Sequence, residues 1–147
     1  MALQVEMERF NEAVEGIRRA FPNLQLEVDD DHPHVDASVD IPTQPGLAFD
    51  VNINLQNDEL HLSAGEFWVE WFPCGDAAVF NNFMDAVVGL LSGRYRILEY
   101  LVGSTTARAE LQRPSSAGWE TIATRSTPLI FLPWRRSTRV IRNHNAA

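Results

Sequence analysis

Lysine is missing from the sequence, and cysteine occurs once, as Cys74, in 147 residues. A single cysteine excludes a disulfide within the chain. A chain of this length buries about 68–70% of the surface that its unfolded state exposes, so one domain has a sufficient core without a disulfide. All 12 basic residues are arginine, which we attribute to the coding bias of a GC-rich bacterial genome.

Long apolar segments are also missing. A membrane-spanning helix needs about 20 consecutive apolar residues, and no segment approaches that length. Glu6 and Glu8 interrupt the N-terminal stretch, whereas a secretion signal has a continuous apolar run. We therefore expect a cytoplasmic protein that does not contact membranes.

Motifs of the common enzyme classes do not occur either. The chain contains no GxGxxG, GxxxxGK(S/T), GxSxG, HExxH or CxxC motif. Nucleotide cofactors, serine hydrolase chemistry and the common zinc sites therefore have no support in the sequence. We expect no cofactor and favour a protein that is not an enzyme.

Charge is unevenly distributed along the chain, whose formal net charge is −8. Residues 1–90 contain 17 acidic residues and 3 arginines, a charge of −14, whereas residues 91–147 contain 3 acidic residues and 9 arginines, a charge of +6. A surface of one sign attracts a partner of the opposite sign. The candidates for contact with a basic partner are Asp29, Asp30, Asp31, Asp36 and Asp40.

Two segments have the period of an α-helix. Apolar residues recur at alternating steps of four and three from Leu3 onward, which predicts an amphipathic helix over residues 3–20 that ends before Pro22. The second helix lies between Asp76, a favourable N-cap, and Gly93, a favourable C-terminal residue. It is apolar around most of its circumference, so we expect a sheet and either another helix or a second subunit to cover it.

The other segments alternate apolar and polar residues with the period of a β-strand. The predicted strands are residues 24–28, 35–41, 47–55, 60–64, 67–72, 95–102, 107–113 and 119–124, with a possible edge strand at 129–133. Large apolar residues occupy both faces of residues 67–72, so we expect that strand to be buried on both sides.

Short connections between these segments favour antiparallel pairing. The predicted fold is a single α+β domain over residues 1–147, with elements in the order α-β-β-β-α-β-β-β. Its two main helices pack on a mostly antiparallel sheet of about six to eight strands. We expect the tail to be flexible from about residue 135.

A histidine-containing turn offers one possible metal site. In an extended backbone His32, His34 and Asp36 would point to one side, and imidazole and carboxylate groups are metal ligands. The sequence has no distant group of ligands to complete such a site, and acidic turns are common on protein surfaces. We therefore predict a solvated turn without a metal.

An aromatic pocket is another place where chemistry could occur. Cys74 precedes the second helix, where backbone N–H groups and the helix dipole lower the pKa of a thiol. His61 could supply a second polar group, although no spacing requires the two to meet. The pocket candidates are His61, Trp68, Trp71, Cys74 and Trp119.

The C-terminal stretch WRRSTRVIRNHN places Trp134 beside arginines, as nucleic-acid-binding arms do. The acidic region of the same small domain would repel nucleic acid at long range. We therefore predict no nucleic-acid partner and expect the arginines to pair with acidic residues of the protein itself, within or between subunits. These arginines are Arg135, Arg136, Arg139 and Arg142.

The stretch LHLSAGEFWVEWFP, the apolar helix after it, GRYRILEYLVG and GWETIATRSTPLIFLPW together resemble a family of small uncharacterised bacterial proteins with no assigned activity. This resemblance extends from about Leu47 onward and implies no functional residue for this chain. The order of elements and the acidic surface are also similar to those of secretion chaperones and toxin-immunity proteins, which are small bacterial binding proteins.

From the sequence we predict a non-enzymatic, acidic protein-binding module that presents the acidic residues between positions 27 and 59 to a basic partner. Neutralisation of a basic toxin, as by an immunity protein, is the most specific form of this prediction, and a chaperone-like role is the broader form. We also expect a homodimer. The alternative, from a different class, is a small-molecule-binding or enzymatic domain with an aromatic-lined pocket.

Overall fold

The computed structural model describes residues 2–127 and 135–144, which form two helices and nine β-strands. In chain order the elements are α1 (Ala2–Ala20), β1 (Glu27–Asp29), β2 (Ala37–Ile41), β3 (Val51–Gln56), β4 (Glu59–Ala64), β5 (Phe67–Trp71), α2 (Ala77–Ser92), β6 (Arg96–Val102), β7 (Thr105–Ser115), β8 (Gly118–Ser126) and β9 (Arg136–Ile141). The strands pair antiparallel, which confirms the predicted α+β class.

The strands form two sheets, whereas the sequence led us to expect one. The first sheet contains β1 to β5 in chain order, and the second has the order β8-β7-β6-β9. The segment after residue 135, for which we expected flexibility, forms β9 and pairs with β6. The predicted edge strand at 129–133 lies outside the described residues.

Helix α1 forms because its apolar residues share one face. Phe10, Val14 and Ile17 are buried against the first sheet and α2. Leu3, the first residue of the predicted apolar seam, is 53% exposed, so the buried part of the seam begins further along the helix. The helix ends at Ala20, two residues before Pro22, as predicted.

Helix α2 has both predicted ends. The carboxylate of Asp76 accepts a hydrogen bond from the backbone N–H of Val79, and Gly93 has the left-handed φ of 78° that favours glycine. Helix α1 and strand β5 both pack against α2. One chain therefore supplies a helix and a sheet to cover α2, and a second subunit is not needed for that purpose.

Strands β3 and β5 differ from their predicted extents. Strand β3 begins only at Val51, because the residues before it turn towards the end of β2. Strand β5 is buried on one side only: Trp68 is 37% exposed and Glu70 is exposed. Phe72, which follows the strand, is 62% exposed. The prediction of burial on both faces was wrong, since alternation cannot show whether an aromatic residue has a neighbour to cover it.

A single hydrophobic cluster joins the inner side of the first sheet to both helices and to the second sheet. Phe67 and Phe83 are fully buried in it, and β5 also contacts β7 and β8. Within the described part of the chain, neither helix combines the length and hydropathy that a membrane span requires. The polar side of the first sheet faces away from this cluster.

Candidate functional site

The outer side of the first sheet carries polar side chains on all five strands. Alternate residues of a strand face opposite sides, and residues paired across antiparallel strands face the same side. One row of such pairs runs through Glu27, Asp40, Asn52, Ser63 and Trp68. The next row runs through Asp29, Ser38, Asn54, His61 and Glu70. We call this side, together with Asp50, the acidic face.

The strands are held in this register by their inner residues. Val39, Ile53 and Leu62 are fully buried on the side that packs against the helices. A slip of one residue would move this apolar row into solvent and the acidic row into the core, which is strongly unfavourable. The hydrophobic core therefore fixes which side chains the acidic face presents.

Amide side chains connect the strands of the acidic face. The Nδ2 group of Asn52 donates to Oδ1 of Asp40 at 2.7 Å and lies 2.9 Å from Oγ of Ser38. Asn54 in turn donates to Oδ1 of Asn52 at 3.0 Å. These bonds hold the Asp40 carboxylate in one position while leaving its second oxygen available.

Asp50 is held at the rim of the same face. Its Oδ1 accepts hydrogen bonds from the hydroxyl and the backbone N–H of Thr43, each at 2.7 Å. The hydroxyl bond and then the N–H bond keep the pKa of Asp50 below its usual value, because both stabilise the ionised form. Asp50 therefore stays negatively charged well into the acidic range.

A cavity of about 330 Å³ opens on the acidic face. Its lining includes the acidic residues Glu27, Asp40 and Asp50 and the polar residues Asn52 and Ser63. Ionised carboxylates only accept hydrogen bonds, so the cavity is rich in acceptors and poor in donors. Its chemistry complements the guanidinium of an arginine or the ammonium of a lysine.

No arginine or lysine occurs between residues 20 and 93 of the sequence. Arginines from other parts of the chain do not pair with these carboxylates either. In the described ranges, no salt bridge involves Glu27, Asp29, Asp40 or Asp50. Arg125 of β8 reaches the other end of the face, where its guanidinium lies 4.7 Å from the ring centre of Trp68. The carboxylates near β1 and β2 are therefore left to solvent or to a partner.

The five aspartates predicted to bind a partner do not have equal roles. Asp29 and Asp40 belong to the acidic face, and Asp30 and Asp31 lie exposed in the turn after β1. Asp36 is half-buried, and its Oδ2 accepts a hydrogen bond from the backbone N–H of Asn57 at 3.1 Å. Asp36 thus helps to fix the turn between β3 and β4.

Two of the three possible metal ligands near this turn, His32 and Asp36, accept hydrogen bonds from backbone N–H groups. The backbone N–H of His34 donates to Nδ1 of His32 at 3.1 Å, and the two rings are 5.8 Å apart. Asp36 is tied to Asn57 as described. Over residues 2–127 and 135–144, no three histidine, cysteine or acidic side chains are placed so that they could hold a metal ion.

Cys74 is fully buried beneath the start of α2. Its thiol donates to Oδ1 of Asp58 at 3.1 Å, and its backbone N–H donates to the carbonyl of Asp58 at 3.0 Å. Burial, and then the bond to Asp58, raise the pKa of the thiol to about 12. The thiol is therefore protonated at neutral pH, which opposes the nucleophilic role that its place before a helix suggested.

The other pocket candidates are divided among three places. His61 and Trp68 lie together on the acidic face, with ring centres 5.1 Å apart, and Nε2 of His61 is 2.9 Å from Oε2 of Glu59. Trp71 points to the inner side of the sheet, against Phe83. Trp119 lies on the second sheet beneath Arg96 and Arg142. These residues and Cys74 do not form one pocket.

The arginines of the C-terminal stretch make contacts within the chain. Two nitrogens of Arg139 hydrogen-bond to the carboxylate of Glu99, which is 1% exposed. Arg142 donates to the carbonyl of Gly93 and covers Trp119. Trp134 lies outside the described residues. Arg139 therefore pairs with an acidic residue of the protein itself, as expected, whereas Arg142 contacts a carbonyl and an indole.

Several residues of the acidic face were not among the sequence-based candidates. Asn52 and Ser63 were not named, and Glu27 and Asp50 were covered only by the range of acidic residues between positions 27 and 59. The available signal was the alternation along β3 and its neighbours, which puts Asp50 and Asn52 on the polar side. Pairing with Ser63 and Glu27 depends on strand register, which local periodicity does not specify.

Comparisons of the chain with models of known protein families, with curated proteins and with solved structures find no match.

Proposed function

We propose that the protein is a non-enzymatic binding module whose acidic face receives basic side chains of a protein partner in the cytoplasm of a bacterium. The observation that supports this proposal is the set of carboxylates at Glu27, Asp29, Asp40 and Asp50, which lack cationic partners within the described residues. An arginine of the partner would place its donors among acceptors that β2, β3 and their hydrogen bonds hold in position. Such charge-assisted bonds are stronger than bonds between neutral groups.

Neutralisation of a basic toxin is the most specific form of the proposal. An acidic surface accelerates association with a basic protein and discriminates against acidic ones. Both properties suit an inhibitor that has to capture its target quickly. A chaperone that shields a basic segment would use the same surface. We retain the homodimer as a prediction, to be measured by light scattering on the untagged protein.

The test compares two variants with the same net charge. The acidic-face variant carries Glu27→Gln, Asp29→Asn and Asp40→Asn, whereas the α1 variant carries Glu8→Gln, Glu12→Gln and Glu15→Gln on exposed positions of the first helix. Each tagged protein is used to capture partners from a lysate of the native host. Captured proteins are identified by mass spectrometry and then purified for kinetic measurements.

We expect a basic protein to bind the wild type and the α1 variant and to be lost from the acidic-face variant. With the purified partner, the acidic-face variant should associate roughly tenfold more slowly, and the salt dependence of its association rate should be weaker. Equal losses in the two variants would show that net charge and not the acidic face controls binding. Association that does not change between low and high salt would contradict the electrostatic mechanism.

A further inference from the structure

A second cavity lies on the opposite side of the first sheet from the acidic face. It has a volume of about 310 Å³, at the small end of the range of about 300–1,000 Å³ that is typical of ligand pockets. Strand β5, helix α2 and strands β7 and β8 each supply part of its lining. We call it the junction pocket because the two sheets and the second helix meet there.

The residues that line the junction pocket come from the end of a strand, from a helix and from a β-bulge. Trp71 lies at the end of β5, and Asn82 and Asp85 lie on the polar strip of α2, one helical turn apart. Strand β8 contains a β-bulge opposite Leu111, which inserts Ile122 as an extra residue at the pocket. β-Bulges redirect side chains and are over-represented beside functional sites.

The charges of the junction pocket are balanced within the protein. Nε of Arg113 donates to Oε2 of Glu120 at 2.9 Å. Asp85 accepts a hydrogen bond from the hydroxyl of Tyr95 at 2.8 Å, and its other oxygen is 3.8 Å from Nη2 of Arg94. A charged ligand would have to displace one of these partners. The pocket therefore favours a neutral ligand.

Donors and acceptors nevertheless remain available around it. In the described part of the chain, the guanidinium of Arg113 uses only Nε in hydrogen bonds, and the side-chain amide of Asn82, which is exposed, makes none. The carboxylates of Asp85 and Glu120 accept further hydrogen bonds, since each oxygen has more than one lone pair. A hydroxyl group both donates and accepts, so a ligand with several hydroxyls can satisfy carboxylates and donors together.

Trp71 and Ile122 supply the smaller, apolar part of the lining. Trp71 is half-buried, and its ring meets Phe83 edge-on, with the ring centres 5.5 Å apart. Ile122 adds a half-buried aliphatic group. A sugar ring has an apolar C–H face that packs on an indole and hydroxyl groups around its edge. From this combination we propose that the junction pocket binds a neutral carbohydrate of about monosaccharide size, a property independent of the acidic face.

The test uses fluorine NMR on protein labelled with 5-fluorotryptophan, which gives one signal for each of the four tryptophans. The Trp71 signal is assigned by its loss in Trp71→Phe. The probes are glucose, galactose, mannose and N-acetylglucosamine, with glucuronate and glucosamine as charged counterparts. We expect at least one neutral sugar to shift the Trp71 signal in a saturable way at millimolar concentration, and the Trp119 signal to stay in place.

Variants then show whether a shift of the Trp71 signal comes from sugar bound in the junction pocket or from a nonspecific effect of sugar on the protein. Asp85→Asn retains the shape of the side chain and should weaken sugar binding several-fold, and Asn82→Ala should do the same, while Trp119→Phe should leave the affinity unchanged. Thermal unfolding of each variant shows whether it is folded. No response of Trp71 to any neutral sugar, a stronger response to the charged counterparts, or equal affinity in Asp85→Asn would overturn the proposal. Partner capture by the acidic face is measured separately and does not depend on this result.

Discussion

The two sheets differ in whether their acidic residues form salt bridges with arginines. After residue 90 the chain has three acidic residues, Glu99, Glu110 and Glu120, and each forms a salt bridge with an arginine of the second sheet. On the first sheet, Asp29 and Asp40 are close to no arginine within the described residues. The acidic residues of the second sheet are therefore paired within the protein, whereas Asp29 and Asp40 of the first sheet are not paired with an arginine in the part of the chain that the structure describes.

The largest effect should come from removing the cation beside the buried carboxylate of the second sheet. Among the described residues, Arg139→Ala leaves Glu99, which is 1% exposed, with only the hydroxyl of Thr106 as a side-chain partner. The Arg139 side chain is itself 56% exposed, but its removal leaves a buried carboxylate without a cation. Leaving a buried charged group unsatisfied costs about 3 kcal/mol, so we expect the free energy of unfolding to fall by about that amount in chemical denaturation.

The double variant Glu99→Gln with Arg139→Ala provides the control. It removes the stranded charge and should recover more than half of the lost stability. If Arg139→Ala alone were as stable as the wild type, the salt bridge between Arg139 and Glu99 would contribute nothing to the stability of the fold. The contrast between the sheets would then disappear.

A smaller loss of stability should follow when Asn143, which comes after β9, can no longer bond to α2 and to the segment before β3. Asn143 is 2% exposed; its Nδ2 donates to the carbonyl of Leu90 at 3.1 Å, and its Oδ1 accepts from the N–H of Ala48 at 2.8 Å. Asn143→Ala leaves the carbonyl of Leu90 without this partner and should lower the free energy of unfolding by about 2 kcal/mol. Asn81→Ala, at an exposed position of α2, should change it by less than about 0.5 kcal/mol. Similar values for the two variants would contradict this role of Asn143.

Alkaline pH should lower the stability of the protein through Cys74. Its thiol lies before α2 and donates a hydrogen bond to Asp58 in the turn between β3 and β4. Its pKa is raised to about 12 by burial and by Asp58, so the folded state holds the proton more tightly than the unfolded state. The stabilising contribution is therefore complete below the unfolded pKa of about 9.0 and is lost as pH rises towards 12. Wild type should lose stability relative to Cys74→Ala over this interval in denaturation curves.

The same burial makes the thiol a reporter of unfolding. Ellman's reagent should react with native Cys74 much more slowly than with a small free thiol at pH 8 and should react fully after denaturation. Rapid reaction of the native protein would mean that the thiol is accessible and ionised, in contradiction to its contact with Asp58.

The smallest effect is expected on the acidic face itself. Asp29→Asn and Asp40→Asn should each change the free energy of unfolding by no more than about 0.5 kcal/mol, because neither carboxylate has a cationic partner over residues 2–127 and 135–144. Relief of repulsion should make the acidic-face variant slightly more stable at low salt, and the gain should vanish at high salt. A loss above 1 kcal/mol would show that these acids hold the sheet together.

Local chemistry explains which parts of the fold the sequence could predict. Asp76 and Gly93 mark the ends of α2, and Asn57 with Asp58, both at positive φ, form the predicted turn between β3 and β4. These signals act over a few residues and need no knowledge of distant partners. Strand β9 lacks such a signal, because its residues are mostly exposed and its pairing with β6 spans about 40 residues of sequence.

The candidate sites follow the same rule. Alternation identified the polar side of β3, but the cavity on the acidic face also needs Glu27 and Asp40 from strands placed by tertiary pairing. The junction pocket depends even more on packing. Trp71 was named as a pocket residue, yet its neighbours Asp85 and Arg113 come from a helix and a strand that local periodicity cannot bring together.

The most direct test of free acidic groups on the first sheet is an NMR titration with a short peptide that contains only arginine. We predict that amide and carboxyl signals of Glu27, Asp40 and Asp50 move together as peptide is added at low salt. The movement should be lost in the acidic-face variant and kept in the α1 variant. Shifts concentrated on helix α1, or equal in the two variants, would show that the peptide senses net charge alone and would contradict a dedicated binding face.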